Sequence, residues 1–199
     1  SVWRIAVGFW SWFKSGNSYD WVGVAKAQIY GVPASLLPDD MKQFLKTKSG
    51  NSDEIIGLVP PQMLLRGLEV PVETYRMTVS EMISWMYSRL IPSQDADRTL
   101  FHCDDLWQTP AQTLKNSISD CEDWAILFKS WCIMKGILAR VCVGTLIGRG
   151  HAWNLLYQQG KTFLIDVIQG WTTLKEARTF TGYVPLWSFD ETSCFVHGG

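Results

Sequence analysis

Three residues in the second half of the sequence have the types and order that attack on an amide carbonyl requires: Cys121, His151 and Asp166. A thiol attacks a carbonyl only as the thiolate, so it needs a base that takes its proton. The base in turn needs a group that orients it. We therefore predict a site of acyl transfer with Cys121 as nucleophile, His151 as base and Asp166 as the orienting carboxylate.

The segment around Cys121 is typical of a helix start. Ser119 and Glu122 have the spacing of a capping box, and the apolar pattern that follows ends at Lys135 and Gly136, a basic last turn followed by glycine. A helix N-terminus stabilises a thiolate, whereas acidic neighbours oppose it. The sequence therefore predicts Cys121 in the first turn of a helix, with a cationic partner such as His151.

The segments after this helix are predicted to form an antiparallel meander. Residues 137–147 are rich in branched side chains, and residues 151–158 and 161–168 flank the turn signal Gln159-Gly160. A two-residue turn places position 153 opposite 166, which puts His151 and Asp166 on one face as diagonal neighbours. A three-residue turn would place them on opposite faces unless a bulge intervened.

Two further capping boxes predict helices upstream of the nucleophile. One begins at Thr78, with Glu81 as its partner, and continues to about residue 90; the other begins at Thr109, with Pro110 and Gln112, and ends near residue 116. We interpret residues 1–75 as a mostly helical extension packed on a core formed by residues 76–199. The predicted class is α+β.

The composition excludes several functions. The formal net charge of -1 gives no excess of basic charge for nucleic acid, and no apolar run approaches the roughly 20 residues of a membrane span. The five cysteines form no CxxC pair, which argues against a disulfide framework. A metal site at His102, Cys103 and Asp104 would need a second pair of metal ligands at the usual spacing, which the sequence lacks. We predict that this segment is a loop. The sequence indicates no oligomeric state.

Three blocks of the sequence resemble, in order and spacing, the catalytic blocks of the transglutaminase-like superfamily, and most of all its bacterial cysteine peptidases. They are residues 120–125, 150–154 and 163–166, and the upstream segment 107–114 resembles the one that precedes the nucleophile in those peptidases. The resemblance implies a papain-like core, in which the nucleophile begins a central helix packed on an antiparallel sheet. It also assigns Cys121, His151 and Asp166 to the catalytic triad.

The chemistry that this resemblance implies is formation of a thioester on Cys121. Resolution by water would make a protease or amidase, and resolution by an amine would make a transglutaminase. A non-catalytic peptide-binding module of the same fold is a further alternative. The backbone N–H of Cys121, with Gln108 or Trp107, is the candidate oxyanion donor set, and Trp153 is a candidate substrate contact.

The resemblance leaves the cofactor and the compartment open. No cofactor is required, but some bacterial members bind calcium through acids beside the nucleophile, which Asp120, Glu122 and Asp123 match here. Asp120 and Glu122 are equally explained as helix-start residues. The expected partner is a protein or peptide substrate. Free thiols favour the cytoplasm, and a periplasmic or secreted location stays open if a signal segment was removed.

Overall fold

A computed structural model describes residues 27–29, 39, 57–59, 61–102, 105–170, 175–177 and 181–197. The α-helices are α1 Val79–Arg89, α2 Ala96–Phe101, α3 Pro110–Asn116 and α4 Cys121–Lys135. The strands are β1 Ala27–Ile29, β2 Gly57–Val59, β3 Ile91–Pro92, β4 Ile118–Ser119, β5 Ala139–Leu146, β6 Arg149–Gln158, β7 Lys161–Ile165, β8 Lys175–Glu176, β9 Tyr183–Phe189 and β10 Cys194–Val196. Within this part of the chain, no helix combines the length and the apolar character that crossing a membrane demands.

The N-terminal region is described only in part. Strands β1 and β2 form an antiparallel pair, and short 3-10 helices occupy Pro61–Leu64, Gly67–Glu69 and Val72–Arg76. The prediction of a mostly helical extension falls mainly on positions outside the described residues. It therefore stays a prediction, as does the domain boundary at residue 75.

A six-stranded antiparallel sheet in the order β10-β9-β5-β6-β7-β8 supports the central helix α4. The helix is apolar around most of its circumference, so it can be buried between two layers. Trp124, Phe128 and Trp131 are fully buried, and α1 covers the helix with Met82 and Met86, which belong to the same apolar cluster. The predicted α+β class, with a central helix on an antiparallel sheet, is confirmed.

The helix starts follow the capping signals in two of three cases. Thr78 and Thr109 each form a complete capping box with the residue three positions later. The box predicted at Ser119 is wrong, because Ser119 pairs with Pro92 in the parallel bridge between β4 and β3. Asp120 becomes the N-cap, without a side-chain capping bond, and α4 begins at Cys121 itself. Gly136 ends the helix in the left-handed conformation, as predicted.

The hairpin between β6 and β7 has the predicted register. Gln159 and Gly160 form the two-residue turn with φ of 51° and 72°, and Asn154 lies opposite Ile165. The same register brings position 153 opposite position 166. Asp166 follows directly after β7 and precedes a 3-10 turn over Val167–Gln169, which turns the chain away from the sheet.

Candidate active site

Cys121 occupies the first position of α4, at the edge of the apolar cluster that contains Ala152. Its Sγ donates a hydrogen bond to Glu122 Oε2 at 3.2 Å. Burial raises the pKa of the thiol well above its ordinary value, and the charges of Glu122 and Asp120 raise it further. A hydrogen bond from the backbone N–H of Ala152 acts in the opposite direction. The sulfur therefore lies against the residue that follows His151.

His151 and Asp166 form a direct pair on the sheet. The Nε2 atom of His151 lies 2.7 Å from Oδ2 of Asp166, and the Asp166 side chain is only 1% exposed. A buried carboxylate that binds one imidazole nitrogen fixes the ring orientation and the tautomer. Because Nε2 faces the carboxylate, Nδ1 is the nitrogen through which His151 could act as a base.

The thiol and the imidazole are held on two elements that are tied together. Asn154, which is fully buried on β6, donates from Nδ2 to the carbonyl of Ala125 at 3.0 Å and so connects the N-terminal half of α4 to the strand that carries His151. The Cys121 thiol donates its hydrogen bond to Glu122 rather than to His151.

Two rings surround the imidazole. Trp153 stacks on His151 with ring centroids 6.1 Å apart and is itself 2% exposed. Tyr183 packs edge-on against Trp153 at 5.1 Å, and its hydroxyl donates to Asp166 Oδ2 at 2.7 Å. The predicted substrate contact through Trp153 does not fit this burial, since the ring supports the histidine instead. Sequence analysis missed Tyr183, which belongs to no local motif.

Gln108 lies beside the start of α4, but its side chain is already committed. Its backbone N–H and its Nε2 donate to the two oxygens of Asp123, and its Oε1 accepts a bond from Asn116 Nδ2 at 2.7 Å. Gln108 is fully buried. The predicted oxyanion role of this side chain therefore does not fit the arrangement, in which Gln108 binds the first turn of α4 through Asp123.

Trp107 forms part of an aromatic wall beside Cys121. Its ring stacks on Trp187 at 5.9 Å and on Phe189 at 6.1 Å, and it is 8% exposed. Cys121 packs against the cluster to which these rings belong. The wall gives the thiol an apolar side, which strengthens the effect of nearby charges on it.

Acidic side chains gather on the other side of the thiol. Ligand atoms of Asp97, Asp120 and Glu122 lie within 4.8 Å of one another. The sequence predicted Asp120, Glu122 and Asp123 as calcium ligands. In the structure Asp123 accepts hydrogen bonds from Gln108, and Asp97 is the third acid of the cluster instead. Cys103 and Asp104 of the other candidate metal segment lie outside the described residues.

Two carboxylates of this acidic cluster have an oxygen that is buried without a hydrogen-bond donor in the described part of the chain. Oδ1 of Asp97 and Oδ1 of Asp120 are buried without a hydrogen-bond partner among the described residues. Burial raises the pKa of Asp97 to about 7, with a smaller contribution from the charge of Asp105. Burial, followed by the charges of Asp123 and Asp97, raises the pKa of Asp120 to about 10. The protein thus holds three adjacent carboxyl groups that favour either protons or a cation.

Comparisons with known proteins agree with this fold. Residues 94–166 match the family model of the transglutaminase-like superfamily, a stretch that contains all three predicted triad residues. This match over residues 94–166 bears out the predicted resemblance to that superfamily. A search of curated proteins finds no sequence match.

Two solved structures of Legionella pneumophila LapG share the fold. The calcium-bound form is 17% identical with a TM-score of 0.50, and the match covers 67% of this chain and 74% of LapG. The EGTA-treated form is 15% identical with the same TM-score of 0.50, and the match covers 83% of this chain and 82% of LapG. At these identities the likeness concerns the fold alone.

Proposed function

We propose that this protein is a cysteine-dependent hydrolase that cleaves an amide bond in a protein or peptide substrate. The observation that carries the proposal is the 2.7 Å contact between His151 Nε2 and the buried Asp166, next to the helix start that bears Cys121. A buried carboxylate, an imidazole with one free nitrogen and a cysteine at a helix N-terminus are the parts of an acyl-transfer site.

In the proposed reaction, Cys121 loses its proton to Nδ1 of His151 after the thiol turns away from Glu122. The thiolate attacks the substrate carbonyl, and the backbone N–H of Cys121 donates a hydrogen bond to the oxygen that becomes negative. His151 then gives its proton to the leaving amine, and a thioester remains on Cys121. Water, deprotonated by His151, hydrolyses the thioester and releases the acid product.

We also propose that the acidic cluster binds calcium. Carboxylate oxygens are the ligands that this hard cation prefers, and two such oxygens, on Asp97 and Asp120, are buried without partners. When bound there, calcium would supply positive charge beside the thiol. Glu122 would take part in both functions, because the carboxylate that accepts the bond from Cys121 also belongs to the cluster.

A peptide-cleavage assay tests the hydrolase proposal. Peptides derived from a bacterial proteome are incubated with the protein, and new termini are identified by mass spectrometry. We expect cleavage that disappears in Cys121→Ala and His151→Ala and persists in Cys194→Ala, a control that removes another partly buried thiol. Cleavage that persists in Cys121→Ala would refute the nucleophile.

The same assay separates the alternatives when it contains a fluorescent primary amine. Incorporation of the amine without new termini would indicate a transglutaminase. Binding of peptides without cleavage or incorporation would indicate a non-catalytic module. Either result would replace the hydrolase proposal.

Calcium binding is tested without reference to activity. We expect calcium to raise the melting temperature of the EDTA-treated protein, and isothermal titration calorimetry to give a stoichiometry of about one, the value for a single site. Asp97→Asn should remove most of the gain, whereas Asp95→Asn, which changes an exposed acid two positions away, should keep it. Equal gains in both variants would contradict the assignment of Asp97.

A further inference from the structure

We infer that Tyr183 is a positioning residue of the active site, which acts by holding Asp166 in the orientation that binds His151. The inference rests on the proposed function and deepens it. The Tyr183 hydroxyl donates to Asp166 Oδ2 at 2.7 Å, and the same oxygen lies 2.7 Å from His151 Nε2. The imidazole and the phenol thus meet at one carboxylate oxygen.

The buried environment of Asp166 requires a hydrogen-bond donor besides His151, and Tyr183 supplies it. The side chain is 1% exposed, and its other oxygen, Oδ1, is buried without a hydrogen-bond partner among the described residues. A carboxylate out of water is costly unless its charge is hydrogen-bonded. Without the hydroxyl of Tyr183, His151 would be the one remaining donor within the described contacts, and the carboxyl group could rotate to exchange its two oxygens.

Tyr183 reaches the carboxylate from a distant part of the sheet. It begins β9 and pairs with Leu146 of β5, whereas His151 lies on β6 and Asp166 follows β7. In the strand order β9-β5-β6-β7, the hydroxyl therefore links elements separated by two intervening strands. A bond of this span fixes the carboxylate against the whole sheet rather than against its own hairpin.

The phenol is itself held in place and remains a donor. Its ring packs edge-on against Trp153 at 5.1 Å, and Trp153 stacks on His151, so the three rings constrain one another. Burial raises the pKa of Tyr183, and the hydrogen bond to Asp166 and the charge of that carboxylate raise it further. The hydroxyl consequently keeps its proton at neutral pH.

The variant Tyr183→Phe removes the hydroxyl and keeps the ring. Because hydrogen bonds to charged groups are among the stronger ones in proteins, we expect kcat for peptide cleavage to fall about 10-fold or more, with KM within about twofold of the parent. In the proton NMR spectrum, the downfield Nε2–H resonance of His151, assigned by its loss in His151→Ala, should shift or broaden. Tyr157→Phe is the matched control, since it removes a hydroxyl at the far end of β6 from His151.

Two results would overturn the inference. The first is a Tyr183→Phe protein with parental kcat and an unchanged resonance. The second is a fall in kcat that is fully accounted for by a smaller folded fraction in thermal unfolding, with the His151 Nε2–H resonance unchanged. That result would show that Tyr183 stabilises the fold without positioning Asp166. The NMR measurement needs no substrate, so it judges the contact of Tyr183 with the His151–Asp166 pair even if the protein proves not to be a hydrolase.

Discussion

A substitution at Gly144 would disturb the candidate site through the neighbouring strand, without changing any residue that would touch a substrate. It lies on β5 directly opposite His151, at the point where the pairing of β5 with β9 shifts register. A Cβ atom added here would lie 2.1 Å from the carbonyl oxygen of Val184 and 2.9 Å from Cη2 of Trp153. Trp153 is one of the two rings packed on His151, and Val184 directly follows Tyr183, which carries the other.

The size of the disturbance follows from these distances. Real Cβ atoms essentially never approach another heavy atom within 3.0 Å, so the Val184 carbonyl would have to withdraw by about 1 Å. Tyr183 precedes Val184 and would move with it. Since a misplacement of about 1 Å can cost about 100-fold in rate, we expect Gly144→Ala to lower kcat by that order and stability by about 1–3 kcal/mol.

Gly148→Ala is the matched control, in the turn between β5 and β6. Its φ of 77° strains any other residue, at a cost of about 1–3 kcal/mol, but its added Cβ meets nothing within 4 Å. Urea unfolding should therefore show stability losses of similar order in both variants, whereas peptide cleavage and the His151 resonance should change only in Gly144→Ala. Parental cleavage by Gly144→Ala, or equal inactivation of both variants, would refute the reasoning.

Three other predictions concern stability and are checked by urea or thermal unfolding. Glu191→Ala should lower stability by roughly 3 kcal/mol, because it leaves the Lys129 ammonium, 2% exposed, without its 2.6 Å ion pair. Lys129→Met should cost much less, because the remaining Glu191 is 45% exposed and can stay hydrated. Burial, and then the charge of Arg140, lower the pKa of His197 in the folded protein, so protonation favours the unfolded chain. The free energy of unfolding should therefore fall as the pH drops below 6.5, the ordinary pKa of histidine. His197→Asn should reduce this dependence of stability on pH. Thr78→Ala should lose about 1 kcal/mol through its capping box and leave cleavage unchanged.

Local chemistry explains which parts of the fold could be predicted from the sequence. The register that joins His151 to Asp166 depends on the turn at Gln159-Gly160, and both residues of that turn have the positive φ that such hairpins require. The start of α4 could not be located in this way. Ser119 has the right spacing from Glu122 for a capping box, but its backbone is held in a bridge with Pro92, a partner distant in sequence.

The parts of the site that sequence analysis missed come from contacts across the fold. Tyr183 meets Asp166 because of the strand order, and Asp97 meets Asp120 because α2 packs beside the start of α4; neither residue has a flanking motif that would reveal its role. Gln108 shows the reverse error. Its position before Cys121 suggested an oxyanion donor, whereas its side-chain amide donates to Asp123 inside the protein.

The positions of the acids around Cys121 bear on the two explanations that the sequence left open for them, helix capping and calcium binding. Negative side chains at a helix start can be justified by capping or by the helix dipole. Asp120 is the N-cap of α4 but makes no side-chain capping bond, and its Oδ1 is buried without a partner. The buried Asp97 belongs to another helix and gains nothing from the start of α4 as a cap. Side-chain capping therefore explains neither Asp97 nor the unpartnered Oδ1 of Asp120, whereas protonation or the proposed calcium would compensate these buried carboxylates.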